Sequence, residues 1–99
     1  MRIHIDDELF EWDVNMAEIN KHKHGISFKT AAQVFFDENR IEQYDEAHSL
    51  TEERWKTIGK VKEVLFVIYT ERGEAIRLIS ARKATPYERS LYYDRQRMD

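Results

Sequence analysis

A chain of 99 residues, 41% hydrophobic and 35% charged with no cysteine, is long enough for one domain with one core. It excludes a disulfide-stapled scaffold, a thiolate zinc site and a thiol nucleophile. A net charge of −3 argues against a general nucleic-acid coat.

A local basic site is still possible, because the charge is uneven: residues 37–53 are rich in Asp and Glu, whereas 54–62 and 72–97 hold most of the Lys and Arg. No stretch approaches the roughly 20 apolar residues of a membrane span, and the N-terminus lacks a signal-peptide apolar run, so the expected location is the cytoplasm.

Leu9 to Trp12 reads as a short first strand. Asp13 or Asn15 then caps a helix from about Met16 to His24, which Gly25 stops. Ser27 is an N-cap for a second helix, Phe28 to about Phe35, with Phe28, Ala31, Ala32 and Phe35 on one face. Asp37 to Arg40 reads as a loop and Ile41 to Tyr44 as an edge strand. Glu53 to Val61 alternates like a half-exposed strand, and Lys62-Glu63 turns. Val64 to Thr70 is apolar on both faces, as a central strand should be, and Ala75 to Ala81 follows after a turn at Gly73. Thr85, Pro86 and Glu88 form the start of a last helix to about Gln96: N-cap, first position and capping-box partner. The expected fold is one α+β domain over residues 1–99, a small antiparallel sheet with two N-terminal helices and one C-terminal helix packed on it.

The strand pair Val67 to Arg82 carries Arg72, Arg77 and Arg82, which a hairpin core does not require. Guanidinium groups on rigid strands suit phosphate recognition, and equally suit pairing with the chain's own carboxylates. Arg77 and Arg82 are five apart, so a regular strand sends them to opposite faces unless it ends, twists or bulges between them. Parity therefore groups Arg72 with Arg77 and assigns Arg82 a structural role.

The chain resembles the BrnT-type toxins of bacterial type II toxin–antitoxin pairs, a branch with a RelE-like fold. The resemblance rests on Phe10-Glu11-Trp12-Asp13, Asn20, Lys23 to Phe28, Val34 to Asp37, His48-Ser49, Glu53-Arg54 and Ile58-Gly59. It continues through Val67 to Thr70, Arg72-Gly73, Ile76-Arg77, Ile79 to Arg82, Glu88-Arg89 and Tyr92, covering about residues 10–93. The family usually has a lysine where this chain has Met16. The resemblance implies a ribonuclease toxin that inhibits translation, and a small ribbon-helix-helix antitoxin that covers its active surface. It also implies that the complex binds promoter DNA through the antitoxin.

Metal-free RNA cleavage uses the 2′-hydroxyl as nucleophile. It needs a base for that hydroxyl, positive charge on the phosphate and an acid for the leaving oxygen. Arg72 and Arg77 supply charge, while His24, Glu88 and Tyr92 are the candidates for proton transfer; Lys23, Arg54 and Arg82 are the expected RNA contacts. Each has a plainer role open to it. Lys23, His24 and Gly25 suit the end of a helix, Glu88 suits a cap, and Tyr92, on the same helical face as Glu88, suits the core. No metal site or cofactor is expected: His22 and His24 are wrongly spaced, and Ser49 and Ser80 lack a triad setting. A non-catalytic module holding an antitoxin or RNA is the alternative to the enzyme.

Overall fold

The computed structural model describes residues 1–48 and 52–97. Strands β1 (Arg2–Ile5) and β2 (Glu8–Glu11) precede helices α1 (Val14–His24) and α2 (Phe28–Ala32), the latter running into a 3₁₀ turn, Gln33–Phe36. Strands β3 (Ile41–Tyr44), β4 (Trp55–Val61), β5 (Glu63–Arg72) and β6 (Ala75–Lys83) follow, and helix α3 (Pro86–Arg97) closes the described chain. The six strands form one sheet in the order β1-β2-β6-β5-β4-β3.

The α+β architecture and the antiparallel run β3 to β6 match the sequence reading. The sheet is mixed rather than antiparallel, however, because β2 pairs parallel with β6. The chain leaves β2 through both helices and three strands before returning beside it, the long connection that a parallel pair requires. Strand β1, absent from the expectation, forms a hairpin with β2. Its turn places Asp6 and Asp7 at φ 47° and 69°, a conformation usually signalled by Asn-Gly or Asp-Gly, neither of which stands here.

Local chemistry sets the helix ends. The Asp13 side chain, not that of Asn15, accepts the Met16 amide and starts α1 two residues early. Gly25, at φ 73°, ends it with its amide on the Lys21 carbonyl. Ser27 caps α2, which tightens to 3₁₀ geometry after Ala32 instead of running as α-helix to Phe35. That tightening seats Val34 against Gly59 of β4, where a Cβ would lie 2.6 Å from the Val34 Cγ1. The expected capping box of α3 is present, with the Thr85 amide donating to Glu88 at 2.9 Å and the Glu88 amide to the Thr85 hydroxyl at 3.2 Å.

The sheet buries apolar side chains on both faces. On one, Phe10, Leu65, Val67, Leu78 and Ala81 pack against Trp12, Ile26, Phe28 and Ala31 of the α1–α2 layer. On the other, Ile41, Ile58 and Val64 pack with Ala84 and Tyr92 under α3. Helix α3 packs over the β4 side of this second face and the start of β5, and among the described residues no helix contributes to a core over its β1–β2 side.

A buried amide joins α1 to the sheet. Strand β2 borders β6 only from Ala75 to Arg77, which leaves Ala81 on an unpaired stretch of edge. Asn20 fills the place of a neighbouring strand: its Oδ1 accepts the Ala81 amide at 3.0 Å, and its Nδ2 donates to the carbonyls of Ala81 at 2.8 Å and Ile26 at 3.0 Å. Truncation leaves these groups buried without partners, each a loss of about 1–3 kcal/mol. Asn20→Ala is therefore expected to lower unfolding free energy by about 3 kcal/mol in urea titration, whereas Asn15→Ala, outside the cap, should change it by less than about 0.5 kcal/mol.

Candidate functional site

The hairpin arginines emerge on the second sheet face, opposite the α1–α2 core. Between Ser80, opposite Ile68, and Leu78, opposite Tyr69, one residue of β6 has no partner: Ile79. This β-bulge reverses the alternation along the rest of the strand. Leu78 and Ala81 both enter the α1–α2 core although they are three residues apart. Arg77 stands opposite Thr70 and Arg82 opposite Phe66, two β5 residues of the same parity, and Arg72 shares that parity. All three arginines thus project from one face, and the sequence expectation that Arg82 points away is corrected by the bulge. By the same registers Glu11, Ser80 and Lys56 join them.

Each arginine meets a carboxylate brought from a different segment. The Arg72 Nε lies 2.9 Å from Glu52, which the stretch before β4 carries across the sheet where the Thr70 hydroxyl holds the Glu53 carbonyl. Arg77 Nη1 lies 2.7 Å from Glu11 Oε2 on β2, and Arg2 of β1 approaches the other oxygen, Oε1, at 3.5 Å. Arg82 makes a two-pronged pair with Glu88 at 2.7 and 3.0 Å, and its guanidinium lies 4.1 Å above the Phe66 ring.

These restraints are unequal. The Arg72 side chain is 49% exposed, so its pair with Glu52 is screened by water and weakly held. The Arg77 side chain is 26% exposed on a rigid central strand. Arg82 is held by carboxylate, ring and its neighbour's carbonyl together. Along β5, the residues opposite Arg77 and Arg82 are four apart, a separation of roughly 13 Å. Arg72, Arg77 and Glu11 form a nearer group. The Arg72 hydrogen bonds hold the Glu52 carboxyl below the usual carboxylate range, and the charges of Arg54 and Arg77 act on it in the same direction.

The other sequence candidates occupy different places. Lys23 and His24 end α1, in the layer over the opposite face, and no hydrogen bond or ion pair among the described residues joins them to the arginines. Tyr92 lies in the core beneath α3, 3% exposed, with its hydroxyl donated to Asp37 Oδ2 at 2.5 Å. Burial first, and the Asp37 carboxylate second, push its phenol well above the ordinary range. Asp37 also accepts the amides of Lys60 and Asn39, so the contact ties the 3₁₀ turn to β4 and α3. Glu88 does reach the arginine face. Its burial pushes the carboxyl up, but the Arg82 hydrogen bonds, the Thr85 amide and the Arg82 charge outweigh that, leaving it below the ordinary value of 4.5. Ser49 lies outside the described residues. Sequence reasoning passed over Arg2, Glu11 and Glu52. Alternation in Leu9 to Trp12 puts Glu11 opposite the core side, but nothing local announces that β2 borders β6.

A family model described as the ribonuclease toxin BrnT of type II toxin–antitoxin systems matches residues 12–88. Among solved structures, the chain is similar to the crystal structure of the Brucella abortus ribonuclease toxin BrnT, at a TM-score of 0.59 and 24% identity. The likeness covers 77% of this chain and 95% of that one, and is one of fold. No curated protein matches.

Replacing Glu88 tests the Arg82 end of the face. A carboxyl depressed in the folded state adds stability above its unfolded pKa and loses it as pH falls through the folded one. Glu88→Gln is expected to be less stable than the parent by about 1–2 kcal/mol at pH 7. The gap should narrow as pH falls below the ordinary carboxyl value of 4.5 and the parent's carboxyl protonates, which thermal unfolding across pH follows.

Proposed function

The chain belongs to the BrnT ribonuclease toxins of type II toxin–antitoxin systems, and from that premise we propose that the open, arginine-bearing sheet face is where it binds and cuts RNA. The observation that carries this reading is the bulge at Ile79, which puts Arg82 on the same sheet face as Arg72 and Arg77, opposite the α1–α2 core. In cleavage by the 2′-hydroxyl, negative charge grows on the phosphate oxygens in the transition state. Guanidinium groups fixed on strands meet that charge without reorganising. Arg77, rigid and half-buried, holds the scissile phosphate, with Arg72 beside it after release of Glu52. Arg82 and Arg54 contact neighbouring parts of the RNA. Arginine does not give up its proton, so these residues stabilise charge and leave proton transfer to another group.

With positive charge supplied by arginine, the reaction needs no metal ion. The architecture is read as RelE-like. The antitoxin that a type II toxin requires is read as a ribbon-helix-helix protein that covers this face and carries the complex to promoter DNA. The expected setting is the cytoplasm, and no described helix is long and apolar enough to cross a membrane.

Cleavage of a labelled single-stranded transcript in EDTA is the direct test, run in cell-free translation if the parent cuts only on ribosomes. The parent should cut, leaving 2′,3′-cyclic phosphate ends. Arg77→Ala should be slower by about 10²–10³-fold and Arg72→Ala by a smaller factor. Loss of cutting in EDTA with recovery in magnesium would refute the metal-free mechanism. An Arg77→Ala protein as active as the parent would refute the site.

A further inference from the structure

A cleavage site built on arginines still lacks a group to take the 2′-proton. Among the described residues, Glu11, Glu52 and Glu88 each pair with an arginine of the face, and they differ in what they have left to offer. Glu88 uses Oε1 on both Arg82 and the Thr85 amide and Oε2 on Arg82, so it is committed to holding α3. Glu52 sets both oxygens on the single guanidinium of Arg72 from a segment outside the sheet. Glu11 is different. It lies on β2, bonded on one side to β1 and on the other to β6, and its side chain is only 14% exposed. Each oxygen receives one guanidinium, Arg2 on Oε1 and Arg77 on Oε2, from the strands on either side. A carboxylate oxygen has two acceptor directions, so one remains open on each. The single Arg77 bond to Glu11 leaves the rest of that guanidinium for a ligand.

We propose that Glu11 is the general base of RNA cleavage. Any phosphate held by Arg77 lies beside this carboxylate, since the two side chains are 2.7 Å apart. Arg2, 65% exposed, closes the other side of the same phosphate. Glu11 removes the proton from the 2′-hydroxyl of the nucleotide whose 3′-phosphate is so held. The 2′-oxygen bonds to phosphorus and the bond from phosphorus to the next nucleotide's 5′-oxygen breaks. That oxygen takes a proton from water, which the open face admits, and the resulting hydroxide recovers the proton from Glu11. The products are a 2′,3′-cyclic phosphate and a 5′-hydroxyl, with no change of oxidation state. This assignment rests on the reading that the arginine face is the cleavage site.

Glu11→Gln keeps the shape and an acceptor for Arg77 but removes the base. It should cut the transcript about 10²–10⁴-fold more slowly than the parent. Its affinity for a 2′-O-methyl copy of the transcript, which cannot react, should stay within about threefold of the parent's, and its rate should lose the acidic limb of the parent's pH profile. A variant that cuts within about tenfold of the parent overturns the proposal. So does one that loses affinity for the methylated copy in step with rate, which marks Glu11 as an anchor for Arg77. If Glu11→Gln does not fold, Glu11→Asp decides: an acidic limb retained supports a carboxylate base, and a pH-independent rate overturns it. Arg77→Ala separates the two levels. If it is inactive while Glu11→Gln is active, the face stands and Glu11 falls; if both are active, the face itself is wrong.

Discussion

One unpaired residue, Ile79, decides what the open side of this sheet presents. Without it, strict alternation would turn Arg82 toward the α1–α2 core and Ala81 toward solvent. A guanidinium there would lose water without a carboxylate to meet, a penalty of several kcal/mol. With the bulge, Leu78 and Ala81 both enter the core, and the arginines fall on one side. The apolar spacing on one face and the charged spacing on the other are satisfied by the same extra residue. Asn20 supports the arrangement from the edge by bonding the Ala81 main chain just beyond the bulge, where β2 no longer reaches.

What could be read from the sequence divides along the range of the interactions. Asp13, one of two cap candidates with Asn15, Gly25 as a stop, Ser27 as a cap and the Thr85–Glu88 box depend on groups within four residues of one another, and the structure has them. The central strand was legible because it is apolar on both faces. The parallel neighbour of β6, the β1–β2 hairpin and the bulge were not, because each depends on which distant strand lies alongside. The same limit explains the site. Arg72, Arg77 and Arg82 stood out as charges in apolar strands; parity put Arg82 on the wrong face although its reading as a partner for an acidic group holds, and the partners Glu11 and Glu52 of Arg77 and Arg72 come from 66 and 20 residues away. Glu88, six residues from Arg82, was visible as a cap but not as an ion-pair partner.

The arginines form a graded series rather than a uniform patch. Their carboxylate partners offset the arginine charge within a chain of net charge −3. Each of the three arginines is already paired, so any anion drawn to this face must exchange with a carboxylate. Where the resident pair is exposed, the exchange is nearly neutral in free energy, and where the pair is stacked and two-pronged it is opposed.

The Glu88 carboxylate carries a further consequence, because it ties together two events that are distant in outline. The same oxygen that accepts from Arg82 also closes the first turn of α3, and α3 shields the second core through Tyr92. An anion that draws Arg82 away weakens that closure. By thermodynamic reciprocity, anything that tightens the start of α3 makes Arg82 harder to draw away by the same free energy. The far end of the face is thus held against any competing anion by a helix terminus, while the end at Arg72 is not.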